Sequence, residues 1–235
     1  MLCIKEFNLD SFMYRFLWNP LKWLGKQLDF LTVKRVLMIF VPIYVAGMYL
    51  AYNKELLSPG VQEALPLVFS FIGLVLVLKS FSERRYARLS WLLIIMNHFW
   101  VALAISFNEL FTFDQVHVYL SGIAIAGTLG FVCLQWLKVR EGSMDLDQFH
   151  GYSYKHPVLA LLFLLCCLAA SGFPITPTFI GEDLMFSHIH EDQAFFAFMV
   201  SLSFIIDGLS IIRIYARVFL GPHVKSQYEM AYRSS

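Results

Sequence analysis

Apolar residues run through this chain in long blocks separated by short polar connections. Six blocks, at approximately 34–52, 61–79, 87–107, 116–138, 157–174 and 194–219, each hold close to the ~20 residues that an α-helix needs to cross a hydrocarbon core. The last is long enough to predict a tilted helix. No long linker or low-complexity tract divides them. The pattern therefore predicts an all-α fold, a polytopic membrane helix bundle with about six transmembrane helices, in one membrane domain over 34–222 followed by a short tail at 223–235.

Residues 1–33 read differently. Leu21, Leu24, Leu28 and Leu31 mark one helical face, while Lys22, Lys26 and Asp29 fall elsewhere on the wheel. Asn19 and Pro20 supply a cap and a first-turn proline. Too polar to span, the segment predicts an amphipathic helix in the membrane interface, with Trp18 and Trp23 at headgroup level. A surface helix packed on a partner subunit fits the same letters.

One block is interrupted. The run from His156 to Phe186, HPVLALLFLLCCLAASGFPITPTFIGEDLMF, breaks at Gly172, Pro174 and Pro177 and resumes beside Glu182 and Asp183. A break frees backbone groups that lipid cannot satisfy, so at membrane depth it needs protein or a water-filled cavity around it. Discontinuous helices of this kind form the ion sites of many transporters. Prolines that merely end one helix before an acidic loop would leave the same trace.

Composition and charge narrow the class. With 58% hydrophobic and 15% charged residues, the chain lies outside soluble usage. A net charge of +1 without a basic face excludes nucleic acid as partner and leaves the lipid bilayer. Lys and Arg gather in the N-terminal segment, around Lys79 to Arg88, from Lys138 to Lys155, and in the tail, whereas 108–115 and 175–193 carry none. That alternation predicts both termini in the cytoplasm of a bacterial inner-membrane protein. Cys3, Cys133, Cys166 and Cys167 show no metal or redox spacing. Met1 is not followed by a secretory signal pattern, so targeting is expected to rest on the first membrane helix. No nucleotide loop, nucleophilic triad, haem pair or iron–sulfur pattern occurs, and neither catalysis, cofactor nor metal is expected.

Candidate chemistry lies within the apolar blocks. Asp207 sits midway along the last one, where a carboxyl is costly and must face a partner, a cavity or a proton path. Asn97 and His98 lie mid-block, and histidine can relay protons because it titrates near neutrality. Helix–helix hydrogen bonds would explain all three as well. His117 and Ser121 open the fourth block, whose Gly122, Ala124, Ala126 and Gly127 point to close packing. Arg213 and Arg217 read as interfacial anchors. His188, His190, Glu191 and Asp192 read as a solvated loop.

Several of these letters form a familiar pattern. The interrupted block resembles the signature of the antiporter-like membrane subunits of respiratory NADH dehydrogenase (complex I) and of multisubunit cation/proton antiporters, with Pro157, Gly172, Pro174, Phe179 and Asp183 in register. Thr178 stands where that pattern has Gly, Gly181 where it has Ser, and Glu182 where it has a Lys of the proton path. Arg213, Phe219 and Gly221 match the helix that follows. His117 aligns with the first histidine of another family helix, but Ser121 and Ile125 replace a second histidine and a lysine. The resemblance implies the C-terminal half of an antiporter-like subunit, working with other membrane subunits, one of which supplies the N-terminal half. Asp207, Glu182, Asp183, His98 and His117 would be its proton or ion path. The replaced lysines equally suit a structural or docking subunit that keeps the fold and no longer conducts.

Overall fold

The computed structural model describes residues 27–107, 113–187 and 192–221, together with Arg15, Asn19, Pro20, Trp23 and Ile189. The expected interfacial helix, apart from these scattered positions, lies outside the described residues, as do His188, His190, Glu191 and the tail. Among the described residues seven α-helices follow one another: α1 (Val33–Tyr52), α2 (Pro59–Ser82), α3 (Ala87–Ile105), α4 (Phe113–Glu141), α5 (Pro157–Ala170), α6 (Pro177–Phe186) and α7 (Ala194–Phe219). The side chain of Thr32 accepts from the Arg35 amide to open α1, and Pro59 and Pro157 occupy first-turn positions, where the missing N–H costs nothing.

Five helices, α1 to α4 and α7, are long and apolar enough to cross a membrane. The remaining expected span is the interrupted one. Its first piece, α5, has 14 residues and reaches only about 21 Å, short of the ~30 Å hydrocarbon core. The chain then breaks and continues as α6.

The bundle is built around α3. Its sequence is apolar on every side, which suits a helix enclosed by others, and α1, α2, α4 and α7 all pack on it. Trp100 meets Phe40 and Tyr44 of α1 edge-on and lies against Phe69 of α2. On the other side Trp91 donates its indole N–H to the Gly127 carbonyl at 2.9 Å. A methyl at Gly130 would run into that indole, so the small residues of α4 do bring the helices close. By contrast α1 is mostly exposed.

The end of the bundle that holds the α2–α3 and α4–α5 connections is tied together by polar contacts. Four amides, His150 to Ser153, donate to carbonyls of residues 217–220 at 2.9–3.2 Å, satisfying acceptors that the end of α7 would otherwise leave open. Arg213 of α7 donates to the carbonyls of Ser80 (2.8 Å) and Glu83 (2.7 Å), and also to that of Phe81. It thus caps the negative end of α2 rather than reaching out as an anchor. Arg217 stacks over Phe149 at 4.3 Å. Replacing Arg213 by Met should cost about 1.5–3 kcal/mol, since charged donors would be withdrawn from half-buried carbonyls. A lowered thermal midpoint of the purified protein, absent in Arg217→Met, would register it.

Candidate ion-translocation site

Four helices converge on one buried polar group. Asp207 comes from the middle of α7 and His98 from α3, with Nε2 to Oδ2 at 2.6 Å and side chains only 3% and 1% exposed. Neither Asp207 oxygen has an aligned hydrogen-bond donor, so the contact is a close approach in which the ring N–H does not point along the line of centres. The other ring nitrogen, Nδ1, lies 2.6 Å from the Tyr119 hydroxyl of α4. A histidine held between a phenol and a carboxylate can accept a proton at one nitrogen and release one at the other. Tyr119, His98 and Asp207 therefore lie in one buried line of titratable groups.

Around this line the polar atoms are incompletely matched. Asn97, next to His98, donates to Ser203 of α7 at 3.5 Å, while its carbonyl oxygen has no partner and faces Gly73 of α2. Thr178 of α6 is fully buried, and its hydroxyl, also without a partner, faces Gly122 of α4. Buried polar atoms left open at membrane depth are costly.

The interruption positions the fourth member. At the end of α5 the Ser171 hydroxyl donates back to the Cys167 carbonyl at 2.6 Å, and Gly172 takes φ +67°, the left-handed conformation that closes helices. Phe173 N–H then reaches Leu168 O at 3.0 Å, and Pro177 opens α6. The turn folds Glu182 back so that its carboxylate lies over Gly172, in the space that a Cβ there would fill. Glu182 is partly buried and lies within electrostatic range of His98 and Asp207.

Of the residues singled out in the sequence, the structure brings His98, Asp207 and Glu182 together. Asp183 is exposed on α6, and His117 is exposed on α4 in one row with Ser121 and Ile125. The sequence does not single out Tyr119. Its one signal is a phenol within an apolar span, which needs a hydrogen-bond partner when buried. Among the described residues no three His, Cys, Asp or Glu side chains are grouped to hold a metal ion.

The chain is similar to known membrane proteins over part of its length. Residues 95–206 match the membrane family described as NADH:quinone oxidoreductase/Mrp antiporter. That stretch, just under half of the chain, is similar to the antiporter family. It contains His98, Tyr119, Glu182 and Ser203, and stops one residue short of Asp207. NADH-quinone oxidoreductase subunit M of Rickettsia prowazekii (strain Madrid E) is 29% identical over 116 residues, 49% of this chain and 23% of that protein. NADH-ubiquinone oxidoreductase chain 4 of Dictyostelium citrinum is 32% identical over 89 residues, 38% of this chain and 22% of its own length. NAD(P)H-quinone oxidoreductase chain 4 of Synechococcus sp. (strain CC9311) is 27% identical over 165 residues, 68% of this chain and 29% of that protein. The chain thus spans less than a third of the length of these relatives.

Proposed function

We propose that the chain is a membrane subunit of a larger proton- or cation-translocating complex, equivalent to the C-terminal half of an antiporter-like subunit. A second membrane chain would supply the N-terminal half. The observation that carries this reading is the buried His98–Asp207 pair, continued by Tyr119 and flanked by Glu182 at an interrupted helix. A proton would enter or leave at Glu182, pass Tyr119 and His98, and be held at Asp207. Asp183 and His117 would then act, if at all, at the surface that partners cover. The clustering of Lys and Arg at the Arg84 end favours a cytoplasmic position for that end and for both termini, with the break toward the outer face of a bacterial inner membrane. Residues 34–222 form the membrane domain in this scheme, 1–33 lie along the interface and 223–235 form the tail.

One observation favours a second reading. His117, Ser121 and Ile125 share the exposed face of α4, so the positions where the family carries a second histidine and a lysine look outward here and are not charged. A neighbour docked on that face would meet no lysine and no second histidine, as suits a non-conducting scaffold. Proton flux in vesicles reconstituted with the whole complex separates the two. Asp207→Asn and Glu182→Gln should each lower flux by on the order of a hundredfold, the usual scale for losing a positioned proton carrier, with assembly unchanged. Undiminished flux in both variants would leave the scaffold.

A further inference from the structure

Both α1 and α4 pack on α3, and between them runs a groove of about 300 Å³. Leu92, Ile95 and Phe99 of α3 form its floor, with Leu37 of α1 on one side and Ala124 of α4 on the other. The floor residues are spaced three and four apart on one helical face, so the groove follows the α3 axis for about 10 Å. Leu37 and Ala124 are exposed, and the groove therefore opens sideways from the bundle. Trp91 also lines it, but its indole N–H is taken up by the Gly127 carbonyl. Apart from Thr128, the lining offers hydrocarbon.

Toward the Arg84 end the same helical faces turn basic. One turn before Leu92 stands Arg88, whose guanidinium donates to the side chain of Gln135 on α4. Lys138 continues the α4 face, and Lys34 lies about 60° around α1 from Leu37. Trp136 is exposed at this level, with Arg140 5.1 Å over its ring, a pairing that suits headgroup depth. Acids nearby are committed elsewhere: Asp29 and Glu83 to Lys79, Asp147 to Arg84, and Glu141 to Lys155 and His156. Among the described residues no acid pairs with Lys34, Arg88 or Lys138. An oily slot thus ends in surplus positive charge, the complement of a lipid with an anionic headgroup.

We propose that this groove binds one anionic phospholipid, with an acyl chain laid along α3 from Leu92 to Phe99 and the phosphate beside Arg88, Lys34 and Lys138. Volume decides between a lipid chain and a partner helix. A helix ~10 Å across fills about 800 Å³ over the length of the groove, well over twice the space there, so it could lie across the groove but not enter it. An unbranched acyl chain is slender enough to enter and brings no polar group that needs a partner. Seated there, the lipid ties α1, the least enclosed of the five long helices, to α4. The inference uses only the membrane location, and it stands whether or not the chain conducts.

Lipid retention by the full chain tests this. Released for native mass spectrometry from nanodiscs of equal phosphatidylglycerol and phosphatidylcholine, the protein should keep phosphatidylglycerol in preference. Arg88→Gln should lower that preference about fivefold, the scale of one basic residue's attraction to an anionic lipid. Ala124→Phe, which fills the deep end of the groove, should reduce retention of both lipids. Phosphatidylglycerol with a photoreactive group midway along one acyl chain should crosslink to the unsubstituted protein within residues 91–99 or 124–132. Crosslinks confined to other segments would overturn the proposal without any variant having to fold, and so would equal retention of the two headgroups. A loss in Arg88→Gln with none in Ala124→Phe would reduce the site to a surface charge contact and overturn the groove. In the whole complex, a benzophenone side chain at position 124 that captures a neighbouring polypeptide in place of lipid would assign the groove to a partner helix, and overturn it likewise.

Discussion

Asp207→Leu alone should destabilise the assembled protein by about 3–5 kcal/mol, His98→Leu by a similar amount, and the double replacement by far less than their sum. The two side chains are almost wholly enclosed and approach to 2.6 Å. Removing either strands the other without water, in a region where Asn97 and Thr178 already have unmatched oxygens. Removing both leaves two apolar side chains of similar bulk between α3 and α7, and no charge. The difference between the double and the two singles isolates the coupling of the pair. It is best read as shifts in the thermal inactivation midpoint of the complex, because unfolding of such an assembly is not two-state. Flux must behave differently. All three variants should be inactive, since restored packing does not restore a proton carrier. Additive losses of stability would mean that His98 and Asp207 do not sense one another, and the relay would lose its central link.

Much of this arrangement is legible in the sequence, for identifiable reasons. Blocks of apolar residues can only be helices where lipid supplies no hydrogen bonds, so five full-length spans and one broken one can be read directly. Gly172, Pro174 and Pro177 locate the interruption because each alters the backbone itself. Asp207 and His98 stand out by chemistry against apolar neighbours. What cannot be read is rotation about the helix axis. His117 and Tyr119 are two residues apart, hence about 200° around α4. Lipid-facing and protein-facing sides are equally apolar there, so nothing in the letters says that the tyrosine turns inward and the histidine outward. The same ambiguity hides Lys79 and Arg213. Both read as cations at a membrane edge, but one is enclosed with Glu83 and the other caps α2.

Gly181→Val is expected to be among the most damaging substitutions in the chain, although it adds only three carbon atoms and removes no polar group. A Cβ at this position would fall 2.6 Å from the Tyr119 Cα and 2.9 Å from its amide nitrogen, backbone atoms that cannot swing aside. The contact is reciprocal, because on α4 the Cβ of a substituted Gly122 would meet the Thr178 amide at 2.9 Å. Each helix thus offers a glycine to the other's larger residue three positions away, a close approach that only small residues allow. Overpacking of this kind costs about 1–3 kcal/mol or more, and the strain is relieved only by lifting α6 off α4. That movement carries Glu182, the next residue along, away from Tyr119 and His98. Flux and thermal stability should therefore fall together, whereas Asp207→Asn should lower flux with assembly intact. Gly208→Ala is the matching control. It adjoins Asp207 in sequence, yet a Cβ there meets nothing within 4 Å, and a helical alanine should add up to about 1 kcal/mol. A Gly181→Val protein as stable and active as Gly208→Ala would mean that α6 is not held against α4. Glu182 would then have no fixed place beside the relay.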